Sequence, residues 1–532
     1  MDKNIFLAIA LSILVYVGWF SLMNRLNGPQ HRPAPAAPAG ASRAGAQGAP
    51  EAPAERAAPE AERSRPGEQS PTAEAARAPK ERARDIAYKV GRIELKVQPF
   101  GAGIVSYLYP GPLGPVELVM EPRSGFFSTW PQLEFRAGQR PLVFEAVHPS
   151  GVRISKEFLI SEEKGLHTMR LTFSNPTGRA ADIPAWDVSI GPGLGTVANE
   201  LKENPSQWRA AALRPPAEGQ TQPRLEAFKL KQEPSWREEP YLWIGVDNRY
   251  FLAAALPSKA QFPRFYAGAE KIGPEGQLAP VARFESKPLR VEPGRPATLE
   301  IPFYMGPKGY THLSALGLNL EKSVQFGWFD KIGRMALQCL YVLHRFTGNY
   351  GWSIIIMTIL LQVILFPLTY KQMKSAAIMK KLQPELSRIQ QKFAKDPQRL
   401  NQEMLELYRR HGANPLGGCL PLIVQMPVFI ALFNALRNAW ELHGAPWIFW
   451  LKDLSAHDPY YILPLIMGAV MFLQSKMNPV QAADPAQAKI FQYMPVIFTF
   501  MFLKFPAGLV LYWLTNSVLG FLQQLALRKR WE

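Results

Sequence analysis

The chain has few cysteines and lacks the patterns typical of metal sites, phosphate-binding loops or nucleophilic enzymes. Its two cysteines, Cys339 and Cys419, both lie in the C-terminal half. A disulfide scaffold in the long segment before them is therefore excluded. No Cys/His spacing of a zinc site, glycine-rich loop or nucleophile–base grouping occurs. We therefore predict no catalytic residue, no metal site and no small-molecule cofactor.

Acidic residues are also too few to balance the basic ones. The chain has 60 Lys and Arg against 43 Asp and Glu, a formal net charge of +17. Such an excess indicates nucleic acid or an anionic membrane as a partner. No basic-aromatic recognition module accompanies the charge. Because the basic residues lie beside long apolar runs, the lipid bilayer is favoured as the partner.

The first 84 residues divide into an apolar segment and a linker. Residues 1–25 contain the apolar run Ile5–Leu22, preceded by Lys3 and followed by no small-x-small cleavage site. We predict an uncleaved signal-anchor transmembrane helix, with a cleaved signal peptide as the alternative. Residues 26–84 are rich in Pro and Ala and nearly free of large apolar residues, which predicts a disordered linker.

Residues 85–320 show the period-two pattern of strands. Apolar and polar residues alternate in 92–97 and 168–173, with Gly, Pro and Asn between such runs. Short alternating strands separated by turns predict an antiparallel β-sandwich. No catalytic grouping occurs in this segment, so scaffolding or docking is favoured over binding of a sugar or peptide.

The last 200 residues or so are predicted to associate with the membrane. Residues 321–346 mix aromatic and charged side chains, which is typical of an interfacial amphipathic helix. Residues 347–532 then contain a predicted cytoplasmic helical hairpin, 371–413, and five predicted transmembrane helices, about 350–370, 416–436, 460–475, 489–505 and 507–527. The third and fourth of these are shorter than the roughly 20 residues that span a bilayer, which indicates local thinning, a wet region or packing in a bundle.

Basic residues set the predicted topology. Residues 371–410 hold ten Lys and Arg against four acids, and the tail adds Arg528, Lys529 and Arg530. The positive-inside rule places both segments, and hence both termini, in the cytoplasm. The chain is thus predicted to be a polytopic α-helical membrane protein with six transmembrane helices, a periplasmic all-β sandwich and a cytoplasmic helical hairpin.

The predicted spans carry polar side chains without charge. Thr358 and Gln362 are four residues apart and share a helix face, as do Tyr512 and Asn516. Polar residues in a membrane either hold helices together or line a hydrophilic path. Taken together with the short spans, they favour a shared hydrophilic groove, with these candidate residues: Thr358, Gln362, Gln425, Gln474, Thr499, Tyr512, Trp513 and Asn516.

The predicted hairpin has an apolar stripe at helical spacing. A Met-rich stripe can be an adaptable surface for the apolar segment of a client protein. The same spacing more often marks the seam between two helices. The candidate contact residues are Met373, Met379, Leu382, Leu386 and Met404.

Four segments carry a family resemblance: Asn414–Phe429 (NPLGGCLPLIVQMPVF), Leu463–Gly468 (LPLIMG), Gln492–Phe498 (QYMPVIF) and Phe505–Trp513 (FPAGLVLYW). In them the chain resembles the YidC/Oxa/Alb family of membrane protein insertases, in the Gram-negative form with a large periplasmic domain. The resemblance implies an inner-membrane insertase and chaperone that acts on nascent membrane proteins. The implied partners are the Sec translocon with its accessory subunits and the ribosome, whose contact is expected to be weak because the C-terminal tail is short.

One groove position departs from the family. Many bacterial members have an Arg where this chain has Gln362. A neutral amide orders water and forms hydrogen bonds, but it supplies no electrostatic selection. The alternative function is a small-solute transporter with a ligand-binding β-sandwich, although transporters usually show internal repeats and we find none.

Overall fold

The computed structural model describes residues 85–121, 125–162, 165–228, 230, 236–393, 396–411, 420–477 and 485–531. The predicted anchor helix 1–25 and linker 26–84 lie outside these residues. So does 412–419, which includes the start of the predicted span 416–436. The described residues form a β domain (residues 86–307) followed by a helical region.

The β domain contains four sheets. Their orders are β1-β2-β3-β4, β10-β19, β14-β17-β18-β11-β5 and β13-β12-β15-β16-β20-β9-β8-β7-β6. The strands are β1 (Ile86–Val90), β2 (Ile93–Val97), β3 (Ile104–Gly111), β4 (Gly114–Glu117), β5 (Ser128–Thr129), β6 (Arg136–Ala137), β7 (Val143–Val147), β8 (Arg153–Leu159), β9 (Leu166–Ser174), β10 (Ala181–Ile183), β11 (Asp187–Ile190), β12 (Arg209–Arg214), β13 (Arg224–Phe228), β14 (Trp236–Arg237), β15 (Trp243–Asp247), β16 (Phe251–Ala255), β17 (Arg264–Ile272), β18 (Gln277–Glu285), β19 (Leu289–Val291) and β20 (Ala297–Pro307).

Strand alternation builds the core of the β domain. In β2 and β8 every second side chain is buried, which gives each strand one core face and one wet face. The inner faces of the five-stranded and nine-stranded sheets share one apolar cluster that includes Phe173, Trp186 and Phe284. The polar positions of the alternating runs consequently face outward.

Two central strands depart from this alternation. All residues of β15 and β16 are buried, because one face contributes to the core of the β domain and the other packs on helices. Trp243, Leu252 and Tyr304 of the nine-stranded sheet belong to the same apolar cluster as residues of the helical region. Strands covered on both faces become uniformly apolar. The β domain and the helices are thus joined by a continuous apolar contact.

The helical region follows the β domain. A short helix, α1 (Asn204–Gln207), lies within the β domain, and the helices of the helical region are α2 (Tyr310–Ala315), α3 (Asp330–Thr347), α4 (Tyr350–Lys392), α5 (Pro397–Arg410), α6 (Leu420–Asn438), α7 (Ile462–Met477), α8 (Pro485–Phe502) and α9 (Ala507–Trp531). The predicted span 350–370 and the first arm of the predicted hairpin form one continuous helix, α4. Asp396 caps α5 by accepting a hydrogen bond from the Arg399 amide.

One described helix is long and apolar enough to cross a membrane, namely Tyr350–Lys392. Two shorter apolar helices are Ile462–Met477 and Tyr493–Phe502. The second of these is part of α8. The count of six spans stays a prediction.

Polar contacts also join the β domain to the helical region. Arg249, in the β15–β16 turn, donates from Nε and Nη2 to the Arg437 carbonyl near the end of α6, at 2.9 and 2.6 Å. Because the last carbonyls of a helix lack partners within it, this guanidinium caps α6. Glu200 pairs with Arg249 on its other side. Trp440, just beyond α6, packs edge-on against Phe251 with ring centroids 5.0 Å apart.

Candidate functional site

Helix α9 carries one polar face in an otherwise largely apolar segment. Tyr512, Asn516 and Gln523 stand at positions i, i+4 and i+11, so a period of 3.6 residues brings them to the same side. We call these three residues the α9 polar face. Tyr512 is buried, whereas Asn516 and Gln523 are half-buried. The three residues put neutral hydrogen-bonding groups along about three turns of the helix.

Amide side chains from three other helices converge on α9. Each donates through its Nε2 atom: Gln362 of α4 to Asn516 Oδ1, Gln425 of α6 to the Tyr512 hydroxyl at 3.3 Å, and Gln474 of α7 to the Ser517 carbonyl at 2.9 Å. All three amides are half-buried. The site is therefore an interhelical network of neutral groups.

The two threonines of the predicted groove are used differently. Thr358 is fully buried and its hydroxyl donates to the Ile354 carbonyl of its own helix at 2.7 Å. The Thr499 hydroxyl likewise donates to the Pro495 carbonyl of α8 at 2.8 Å. A Cβ built on Gly468 of α7 would lie 2.0 Å from Thr499 Oγ1, so only glycine permits this approach of the helices. In this structure both threonines contribute to helix structure and packing.

Trp513 faces an apolar cluster. Its ring lies edge-on to Phe429, with centroids 4.6 Å apart, and 5.4 Å from the Phe502 ring. α9 therefore presents a polar face on one side and an aromatic contact with α6 and α8 on another. The tryptophan holds α9 in place against its neighbours.

Gln523 is a residue that the sequence reasoning missed. Its Oε1 atom is buried and has no hydrogen-bond partner among the described residues. An unsatisfied buried acceptor is uncommon and is open to a partner or to water. The available signal was its position seven residues after Asn516, which is two helical turns along the same face.

The site has no charge in its central part. Between Gly351 and Thr369, α4 has no Asp, Glu, Lys, Arg or His. The three glutamine amides that contact α9 donate to an amide oxygen, a phenol and a backbone carbonyl of that helix. Such a site can order water and bind backbone groups, because amides both donate and accept.

The apolar stripe of the predicted hairpin forms a seam between α4 and α5. Leu382 and Leu386 are buried against Leu407 and Tyr408, with Met379 and Met404 partly buried beside them. Met373 is half-buried, six residues before Met379 and thus nearer the apolar part of α4. Contact of these residues with a client stays a prediction.

Comparison with known proteins identifies both halves of the chain. The family model described as the YidC periplasmic domain matches residues 128–336, and the one described as 60Kd inner membrane protein matches 342–532. Among solved structures, a YidC insertase crystal structure with the first transmembrane domain resolved has a TM-score of 0.40 and 20% identity, covering 84% of this chain and 93% of its own.

Curated relatives extend the match over most of the chain. The membrane protein insertase YidC of Endomicrobium trichonymphae is 39% identical over 447 residues, which is 81% of this chain and 82% of the relative. That of Geobacter sulfurreducens is 36% identical over 386 residues, covering 73% of this chain and 70% of the relative. Matches of this length include parts of both the β domain and the helical region. The chain therefore belongs to the YidC family, whose members are not enzymes but inner-membrane protein insertases with a periplasmic domain.

Proposed function

We propose that this insertase moves the polar flank of a client through a hydrophilic groove whose wall is the α9 polar face. The observation that carries the proposal is the convergence of Gln362, Gln425 and Gln474 on one helix. Polar groups within apolar helices are costly and usually mark a functional path. Here the polar groups come from four helices, and three of those helices direct an amide to the fourth, α9. Hydrogen bonds that only stabilise helix packing do not need to meet on one helix.

The groove is proposed to open toward the cytoplasm and the lipid. In the proposed topology, residues 1–25, α4 and α6–α9 cross the inner membrane, with both termini in the cytoplasm and the β domain in the periplasm. The basic residues of α4 beyond Tyr370 and of α5 support this orientation. Gln523 and its unsatisfied oxygen lie toward the cytoplasmic end of α9, where a client would enter.

The proposed mechanism needs no covalent chemistry. The polar flank of a nascent segment exchanges its hydrogen bonds with water for bonds with the groove amides, which avoids the several kcal/mol that an unsatisfied polar group costs in lipid. The apolar segment then leaves along α4, where Val363 and Ile364 are exposed. Partitioning of that segment into lipid drives the reaction, and the membrane potential adds to it.

The neutral site has a consequence for client choice. With Gln362 in place of a cation, the groove offers hydrogen bonds but no attraction for acidic side chains. We therefore propose that clients with neutral and acidic leading segments insert with similar efficiency. Recruitment then depends on the apolar segment and on the hairpin, whose methionines provide an adaptable surface.

The proposed partners follow from the family. Nascent membrane proteins are the substrates of the insertase. We propose that the chain works alone or with the Sec translocon and its accessory subunits. Ribosome contact is proposed to involve the basic surface of the hairpin.

The direct test is insertion into liposomes that contain only the purified chain. A short single-span client is added and its insertion is measured by protease protection, with empty liposomes as the control. The proposal predicts protected client only in the presence of the chain, and no saturable flux of small solutes. Absence of protection in fully folded samples would show that autonomous insertion is wrong.

A further inference from the structure

Two loops of the β domain present exposed leucines beside the periplasmic end of α6. The first is the β3–β4 turn, where Leu113 is 59% exposed. A Cβ built on Gly444 would lie 3.2 Å from Leu113 Cγ and 3.0 Å from Pro112 Cβ. Gly444 follows α6 by six residues. The turn therefore packs on the loop that leaves this helix, while its leucine stays uncovered.

The second loop approaches the same helix end through charged residues. Leu201 is 52% exposed and stands between Glu200 and Glu203. Glu200 pairs with Arg249, the residue that caps α6. Glu203 Oε2 lies 4.0 Å from Nη2 of Arg437, a residue in the last turn of that helix. Leu201 is thus held close to the end of α6 from both sides.

The depth of a helix end in the membrane sets the depth of the loops that touch it. In the proposed topology the end of α6 lies at the periplasmic surface of the bilayer. Exposed apolar side chains at this level contact the boundary between headgroups and acyl chains, where amphipathic groups are favoured. Lys202, exposed next to Leu201, is suited to a lipid phosphate.

We propose that the β domain rests directly on the outer leaflet of the inner membrane through Leu113 and Leu201. The occupant of this surface is lipid rather than another protein, because both leucines adjoin the end of a proposed membrane-spanning helix. The contact would fix the height and tilt of the β domain over the insertase. The proposal rests on the proposed topology, so its test includes a separate probe of that topology.

The chain provides a matched control. Val147 is 60% exposed, which is close to the exposure of Leu113. Val147 pairs with Arg153 of β8, and Arg153 pairs with Ser174 of β9, next to the residue that pairs with Ala297 at the start of β20. Val147 is therefore level with the start of β20, whereas the end of β20 at Pro307 adjoins the helical region. The 11 residues of β20 span about 35 Å, so Val147 lies far from the proposed membrane surface.

The experiment uses spin labels on the full chain in nanodiscs of phosphatidylethanolamine and phosphatidylglycerol. With Cys339 and Cys419 replaced by alanine, single variants L113C, L201C and V147C are labelled, together with V363C on the exposed side of α4. Collision with oxygen, which concentrates in lipid, is compared with collision with a water-soluble nickel chelate. The proposal predicts a several-fold higher oxygen-to-nickel ratio at 113 and 201 than at 147.

Each outcome has one meaning. Water-like ratios at 113 or 201 with a lipid-like ratio at 363 would overturn the outer-leaflet contact and leave the topology standing. A water-like ratio at 363 would contradict the topology, and the contact with it. A lipid-like ratio at 147 would show that the β domain meets lipid by another surface. Low collision with both reagents at 113 and 201 would indicate a covering protein and overturn the choice of lipid.

Discussion

The buried charge cluster at the junction of the β domain and the helical region yields a sharp prediction. Asp247 is almost fully buried and accepts hydrogen bonds from Arg209 Nε and Lys308 Nζ, both at 3.0 Å. Lys308 also donates to the Ser323 carbonyl at 3.3 Å, in the segment that leads to α3. Replacing Asp247 with Asn removes the one anion in this cluster and keeps its shape.

D247N is expected to lower the free energy of unfolding, because it leaves buried cations without their anion. Breaking a buried ion pair by removing one partner costs about 3–5 kcal/mol. For a domain of this size that corresponds to a fall in melting temperature of about 6–20 °C. The assay is thermal unfolding of the full chain in detergent, followed by near-ultraviolet circular dichroism. The matched control is E300Q, which breaks the exposed pair between Arg170 and Glu300 and should cost about 1 kcal/mol or less.

The D247N effect should also depend on pH. Burial lowers the pKa of Lys308 to about 8, and the Asp247 charge opposes this shift. Without that charge the pKa of Lys308 falls further, so the folded variant loses a proton that the unfolded chain keeps. Stability of the variant relative to wild type should therefore decrease as the pH falls below about 8. Equal melting temperatures for D247N and E300Q, or a loss independent of pH, would refute the reasoning.

Two further predictions concern buried contacts. Burial holds the pKa of Lys156 well below its ordinary value, so the folded state binds fewer protons than the unfolded state and stability should rise as the pH approaches 10. K156M should reduce that slope in pH-dependent thermal unfolding, and an unchanged slope would contradict the assignment. G468A should destabilise the packing of α7 on α8, because the new methyl group meets Thr499 Oγ1. The second change T499A should restore stability in the same assay, whereas T499S should not; rescue by both would point to another cause.

The sequence was sufficient to predict the family, and a β-rich domain followed by a helical region. The motif-bearing segments between Asn414 and Trp513 identified the insertase, and the comparisons confirm it; the transporter alternative is accordingly dropped. Alternation in residues 92–97 and 168–173 correctly indicated strands. In the structure α5 begins at Pro397, because Asp396 caps the helix and Pro is tolerated in its first turn.

Other features depended on tertiary contacts that no local pattern encodes. Burial of β15 and β16 on both faces results from an apolar cluster that these strands share with the helical region, which follows the β domain in the chain. Helical spacing put Gln362 and Asn516 on faces of α4 and α9, but it did not pair them, since pairing depends on how the helices cross. The hydroxyl of Thr358 bonds within its own helix, an outcome that spacing alone leaves open.

The central claim is that hydrogen bonding by the α9 polar face allows a polar client segment to cross. The most direct measurement is liposome insertion by the native chain, Q362L, N516L and the lipid-facing control I364A, using single-span clients with acidic, neutral and minimal leading segments. The account predicts that Q362L and N516L reduce insertion of clients with polar leaders, while I364A does not, and that native Gln362 treats acidic and neutral leaders alike. Undiminished insertion by a folded Q362L/N516L double variant would contradict it.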